Sequence, residues 1–171
     1  MTKKTGMIAV LALGVFLAAC GSGSSGNLNN NISGDWNTSL TDSTGTVILA
    51  FTTHLVQNPD NSVTGSALTI QTDSSADTNC FTQTATQTGT FSSNGTVNSV
   101  TGPTLTLSIQ SAPGSGSNNN ILNLQGILNN GRINGIWNLT GVTPGCVSSS
   151  GNMIMTSISH TGPTGTTDRL R

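Results

Sequence analysis

The chain contains no tyrosine and no glutamate, and only 6% of its 171 residues are charged. Each scarcity removes a class of reading. Aromatic residues make up 4% of the chain, too few for the girdles that a transmembrane β-barrel carries at both membrane interfaces. Without glutamate, Asp73, Asp77 and Asn79 lack the terminal ligand and the order of an EF-hand, so they read as a surface loop. Five cations against six aspartates do not make the basic footprint that nucleic acid requires. Leu, Ile, Val and Phe supply about a fifth of the chain after residue 19, near the level associated with disorder. Disorder normally brings high net charge as well, which is absent here.

The longest apolar run lies at the N-terminus. Lys3 and Lys4 precede an uncharged, mostly apolar stretch from Met7 to Ala19, which runs into small residues and a cysteine: Leu17, Ala18, Ala19, Cys20, Gly21. Positive start, apolar run and small-residue site form the layout of a secretory signal. The run is too short to cross a hydrocarbon layer of about 30 Å comfortably, so a removable signal over residues 1–19 is expected.

Leu17-Ala18-Ala19-Cys20 resembles the lipobox of bacterial lipoproteins. The resemblance covers the first twenty residues. It implies a diacylglycerol on the Cys20 sulfur, cleavage just before Cys20, and acylation of the new amine with a fatty acid such as palmitate. Two or more acyl chains anchor stably, so the membrane is the expected partner. Gly21 rather than aspartate follows Cys20, which favours the outer membrane, facing periplasm or cell surface.

Removing residues 1–19 from 171 leaves 152, enough for one domain. Three arginines then face six aspartates, a balance of −3. With Cys20 taken by lipid, Cys80 and Cys146 form an even pair in an oxidising compartment, and a disulfide is expected between them. Neither has a second Cys or a His at ligand spacing, so no metal site is expected there.

Residues 20–31 read as the lipidated cysteine and a Gly/Ser/Asn tether with an r.m.s. reach of about 20 Å. The tether contains Gly21-x-Gly23-x-x-Gly26, but no strand precedes it and no helix follows, so no dinucleotide site is read there. Residues 32–159 carry short alternating runs. Val47, Leu49, Phe51, Thr53 and Leu55 share one strand face, as do Leu105, Leu107 and Ile109. Leu122, Leu124, Gly126 and Leu128 form a third such set, and Ile133, Gly135, Trp137 and Leu139 a fourth. No stretch after residue 20 shows a helical period.

Asn130-Gly131 and Asn94-Gly95 are two-residue hairpin signals, and Asp42–Gly45 and Asn58–Asn61 read as longer turns. The spacing predicts strands over 33–41, 46–56, 62–71, 80–92, 96–101, 104–111, 120–128, 132–140 and 151–159. The expected fold is all-β, an antiparallel up-and-down meander of about eight or nine strands closed into a small β-barrel, with a β-sandwich as the alternative. Residues 160–171 lack a pattern and are expected to fray.

The segment Ile32-Ser33-Gly34-Asp35-Trp36-Asn37 recurs as Ile133-Asn134-Gly135-Ile136-Trp137-Asn138. Trp36 and Trp137 are expected either to plug one end of a barrel, each ring laid over backbone beside its glycine, or to serve as convergent core residues of a sandwich. A Gly-x-Trp on the first strand of a meander resembles the small lipocalin and avidin barrels. That implies the architecture alone, because a biotin pocket would need tyrosine and more tryptophan.

No catalytic set emerges, and no cofactor or enzymatic activity is expected. His54 falls on the face opposite Leu49, Phe51 and Leu55 and is expected to meet solvent, while His160 lies near the tail. No Gly-x-Ser-x-Gly elbow joins a strand to a helix. The aspartates Asp35, Asp42, Asp60, Asp73 and Asp77 sit mostly in turn-like stretches rather than as the facing pair that glycoside hydrolysis uses. Two functions remain: a binding module holding a small apolar ligand in the barrel mouth beside Trp36 and Trp137, or a structural or protein-interaction module of the envelope without a pocket.

Overall fold

A computed structural model describes residues 31–73, 80–81, 85–111, 120–142, 145–161 and 167–169. The expected signal, Cys20 and residues 21–30 of the expected tether lie outside these residues, as do Asp77 and Asn79. Among the described residues nine strands follow in order: β1 (Gly34–Thr41), β2 (Val47–Gln57), β3 (Ser62–Asp73), β4 (Thr86–Val97), β5 (Val100–Gln110), β6 (Ile121–Asn129), β7 (Arg132–Thr140), β8 (Ser149–Thr161) and β9 (Thr167–Arg169). Each pairs antiparallel with the next, and β1 also pairs with β8, which closes the first eight into a barrel. That closure decides against the sandwich.

Alternation explains why these segments pair this way. Leu49, Phe51, Thr53 and Leu55 point inward, while Ala50, Thr52, His54 and Val56 point outward. The inward sets of β5, β6 and β7 are those read from the sequence, and all contribute to one core cluster. Thr and Asn occupy many outward positions, where their polar groups stay solvated.

The two ends of the barrel differ. At one, which we term the hairpin end, connections are tight. Asn130 and Gly131 have φ of 49° and 72°, and Asn98 and Ser99 have φ of 48° and 68°, the positive pair expected of a type I′ hairpin. The turn between β2 and β3 is held by Asp60 Oδ1, which accepts from the Ser62 amide at 3.0 Å. The chain enters β1 at this end. At the opposite, loop end lie the Asp42–Thr46 turn and the longer connections between β3 and β4, β5 and β6, and β7 and β8. Asp42 Oδ1 organises its turn by accepting from the amides of Thr44 and Thr46.

Three expectations are corrected. Asn94-Gly95 is not a hairpin but an irregularity inside β4, where the register with β5 shifts between Ser92 and Gly95; the reversal falls at Asn98-Ser99. A bulge and a turn use the same residue types, and cross-strand register chooses between them. The fourth strand does not start at Cys80: Cys80, Phe81 and Ala85 lie outside any strand and are buried, β4 starts at Thr86, and the β3–β4 ladder spans only Ser62–Gly65 against Gln87–Thr90. The tail is not wholly frayed, because Thr167–Arg169 pairs with Ser159–Thr161.

Where the β3–β4 ladder ends, a side chain replaces it. Gln87 is buried, accepts from Thr53 Oγ1 at 2.6 Å and donates to the Ser66 carbonyl at 3.3 Å. One side chain thus ties β4 to both β2 and β3. Thr38 shows the opposite case. It points into the core opposite Phe51 and Met155, and its Oγ1 is the one buried side-chain polar atom among the described residues without a hydrogen-bond partner. An unpaired buried hydroxyl costs about 1–3 kcal/mol. Thr38→Val keeps the shape and removes that cost, so urea unfolding should show a gain of about 1 kcal/mol with unchanged slope.

Candidate functional site

Half-way round the hairpin end from the β4–β5 hairpin, β1, β2 and β8 bring together Asp35, His54 and Ser159. The bulge on β8 makes this cluster. Trp36 pairs with Ser157 and Asp35 with Ser159, so Ile158 is skipped. An extra residue reverses which face the following side chains take, and Ser159 meets the outward Asp35. Ser159 Oγ donates to Asp35 Oδ2 at 2.6 Å, and Asp35 Oδ1 lies 2.7 Å from His54 Nδ1. The Asp35 and His54 side chains are 45% and 41% exposed.

The order of these groups decides their chemistry. In a hydrolytic triad the histidine stands between acid and hydroxyl and takes the hydroxyl proton. Here the carboxylate stands in the middle and Ser159 spends its proton on it, which leaves the hydroxyl unactivated. The cluster is a polar clasp across the barrel closure. It was legible only in part: alternation placed His54 on the outside, but nothing local joined it to Asp35 and Ser159.

The Ser159 hydrogen bond first, and the His54 imidazole second, hold the Asp35 carboxyl below its ordinary value of 3.8. Hydrogen bonds from Thr44 and from Ser62 do the same for Asp42 and Asp60. A carboxyl lowered on folding contributes stability above its unfolded pKa and loses it as pH falls through the folded value. The urea midpoint should therefore stay level from neutral pH down and drop below about pH 4. Asp35→Asn should remove part of that drop, at a cost near neutral pH of about 0.5 kcal/mol, since solvent screens the pair.

At the loop end, Cys80 and Cys146 lie at disulfide distance, with Cα atoms 5.1 Å apart. The bridge joins the β3–β4 connection to the β7–β8 connection. Asn120, at the start of β6, completes the tie: its Nδ2 donates to the Cys80 carbonyl at 3.0 Å and its Oδ1 accepts from the Val142 amide at 2.9 Å. Sequence reading missed Asn120 and Gln87, since a polar residue in a Thr/Asn-rich chain carries no local mark of burial.

Trp36 and Trp137 are both buried, but they do not plug the same end. Trp36 pairs with Ser157 and Trp137 with Gly151, six residues apart along β8, or about 20 Å. The Trp36 indole donates to the Ile32 carbonyl at 2.8 Å, near the hairpin end. The Trp137 indole crosses β8 and donates to the Thr41 carbonyl at 2.9 Å, at the loop end of β1. The glycine that makes room for Trp137 is Gly151 on the neighbouring strand: a Cβ there would collide with the Thr41 carbonyl and lie 2.9 Å from the indole nitrogen.

On the outside of the hairpin end, Val97, Val100 and Ile127 floor a groove of about 310 Å³, with Asn98, Asn129 and Asn134 along its rim. The described residues hold no group of three or more His, Cys, Asp or Glu placed to bind a metal ion. Comparison with protein-family models, curated proteins and solved structures finds no match.

Proposed function

We propose that this chain is a lipid-anchored bacterial envelope protein that displays a filled β-barrel outside the cytoplasm as a structural or protein-interaction module. The observation that carries the choice between modules is the barrel interior. Inward positions on all eight barrel strands carry buried side chains of one cluster, with Ile32 and Trp36 toward the hairpin end and Phe81, Cys80 and Cys146 toward the loop end. Such an interior favours action through the outer surface and loops over a ligand in the mouth. Anchoring rests on Lys3, Lys4, the apolar run and the Leu17–Cys20 lipobox, and outer-membrane placement on Gly21.

Two measurements test the two halves. Native mass spectrometry of residues 22–171, exported without the anchor, should give an apo mass two hydrogens below the reduced chain. A discrete adduct that leaves on denaturation would reinstate the ligand-binding reading. In a bacterial host, the full chain should fractionate with membranes, without residues 1–19 and with acyl mass on Cys20, while Cys20→Ser should leave the membrane fraction. A Cys20→Ser chain that stays there would overturn the anchor.

A further inference from the structure

The two ends of the barrel differ in more than their turns. Three large apolar side chains stand exposed around the hairpin end: Val56 near the end of β2, Val100 beside the β4–β5 reversal and Ile158 at the β8 bulge, 42%, 58% and 42% accessible. The groove floored by Val97, Val100 and Ile127 opens at the same end. Charge does not follow the barrel axis: Asp60 in the β2–β3 turn and Asp35 at the start of β1 lie at the hairpin end, and Asp168 pairs there through its backbone with His160. Arg132 opens β7 at the hairpin end, and Arg169 pairs through its backbone with Ser159 there. The loop end has Asp42 in its first turn and Asp73 closing β3, with no cation among the described residues. Val142 and Val147 are also exposed, but at the loop end, away from the entry of the chain into β1.

The chain enters β1 at the hairpin end, with residues 20–31 before it. A tether from Cys20 holds that end within a reach of about 20 Å. The loop end stands a further strand length away, about 25 Å for the eight residues of β1. Apolar side chains beside an anchored surface gain by moving from water to the headgroup boundary, so the tether and the three exposed apolar groups select the same end.

We propose that the hairpin end is a membrane-contact surface, with Val56, Val100 and Ile158 seated at headgroup level, so that the loop end points away from the bilayer. This rests on the anchored reading given above.

The test supplies its own anchor. The mature chain from Cys20, with Cys80 and Cys146 paired, is coupled at Cys20 to a maleimide-linked diacyl lipid and bound to phosphatidylethanolamine/phosphatidylglycerol vesicles. Amide hydrogen exchange is compared with the same chain capped by N-ethylmaleimide in buffer. The proposal expects exchange slowed at least threefold in residues 58–61, 98–101 and 130–132, and unchanged in residues 42–46. Combining Val56→Ser, Val100→Ser and Ile158→Ser should return the slowed amides to buffer rates, with core exchange verifying that the variant is folded. No slowing, slowing at the loop end, slowing that survives the triple variant, or slowing that grows with protein density as a second copy would cause, each overturns it. Because the lipid is attached chemically, a natural protein found without acyl mass would count against the anchor and not against this surface.

Discussion

Changing both Cys80 and Cys146 to serine should cost the barrel about 4 kcal/mol, the loop-closure value for cysteines 66 residues apart. For a domain of this size that corresponds to a fall in thermal midpoint of about 15 °C. The bridge is so influential because of where it sits. The β3–β4 ladder is only four residue pairs long, and Cys80, Phe81 and Ala85 are buried past its end. Reduction should therefore loosen the loop end first. Amide exchange in the reduced protein should accelerate around residues 80–87 and 141–148 before it does in β6 and β7. Uniform acceleration, or a loss below about 1 kcal/mol, would show that Gln87 and Asn120 hold this end without the bridge.

Gly151→Ala is expected to cost about 3 kcal/mol, although it adds one methyl group to a strand. The added carbon has no free direction: it meets the Thr41 carbonyl and the Trp137 indole nitrogen. Relief requires the indole to give up its 2.9 Å hydrogen bond to Thr41, or β1 to part from β8. Either loosens the pairing that closes the barrel. Urea unfolding gives the magnitude, and a red shift in tryptophan emission would mark the displaced ring. In Trp137→Phe, which already lacks the indole donor, the same glycine substitution should cost less. Equal costs in both backgrounds would place the collision on the Thr41 carbonyl alone.

Much of the fold could be read along the chain because a strand repeats every two residues. Alternation over 47–55, 105–109, 122–128 and 133–139 assigned inward and outward faces without knowledge of any partner strand. Asn130-Gly131 marked its hairpin because positive φ at two successive residues suits few side chains. Similar signals misled at Asn94-Gly95, where the chain bulges and continues, and at Trp36 and Trp137, where one repeated segment lies at two levels of the barrel.

By itself, then, the sequence indicated an all-β meander, its core faces, the Asn130-Gly131 hairpin and the pairing of Cys80 with Cys146, all properties of local periodicity or residue count. Tertiary structure decided the rest: closure of β1 on β8, the bulge at Ile158 that turns Ser159 toward Asp35, the burial of Gln87 and Asn120, and Gly151 as the partner of Trp137. Each depends on register between segments far apart in the chain, and a shift of one residue would change which side chains meet without altering the local pattern that either segment shows.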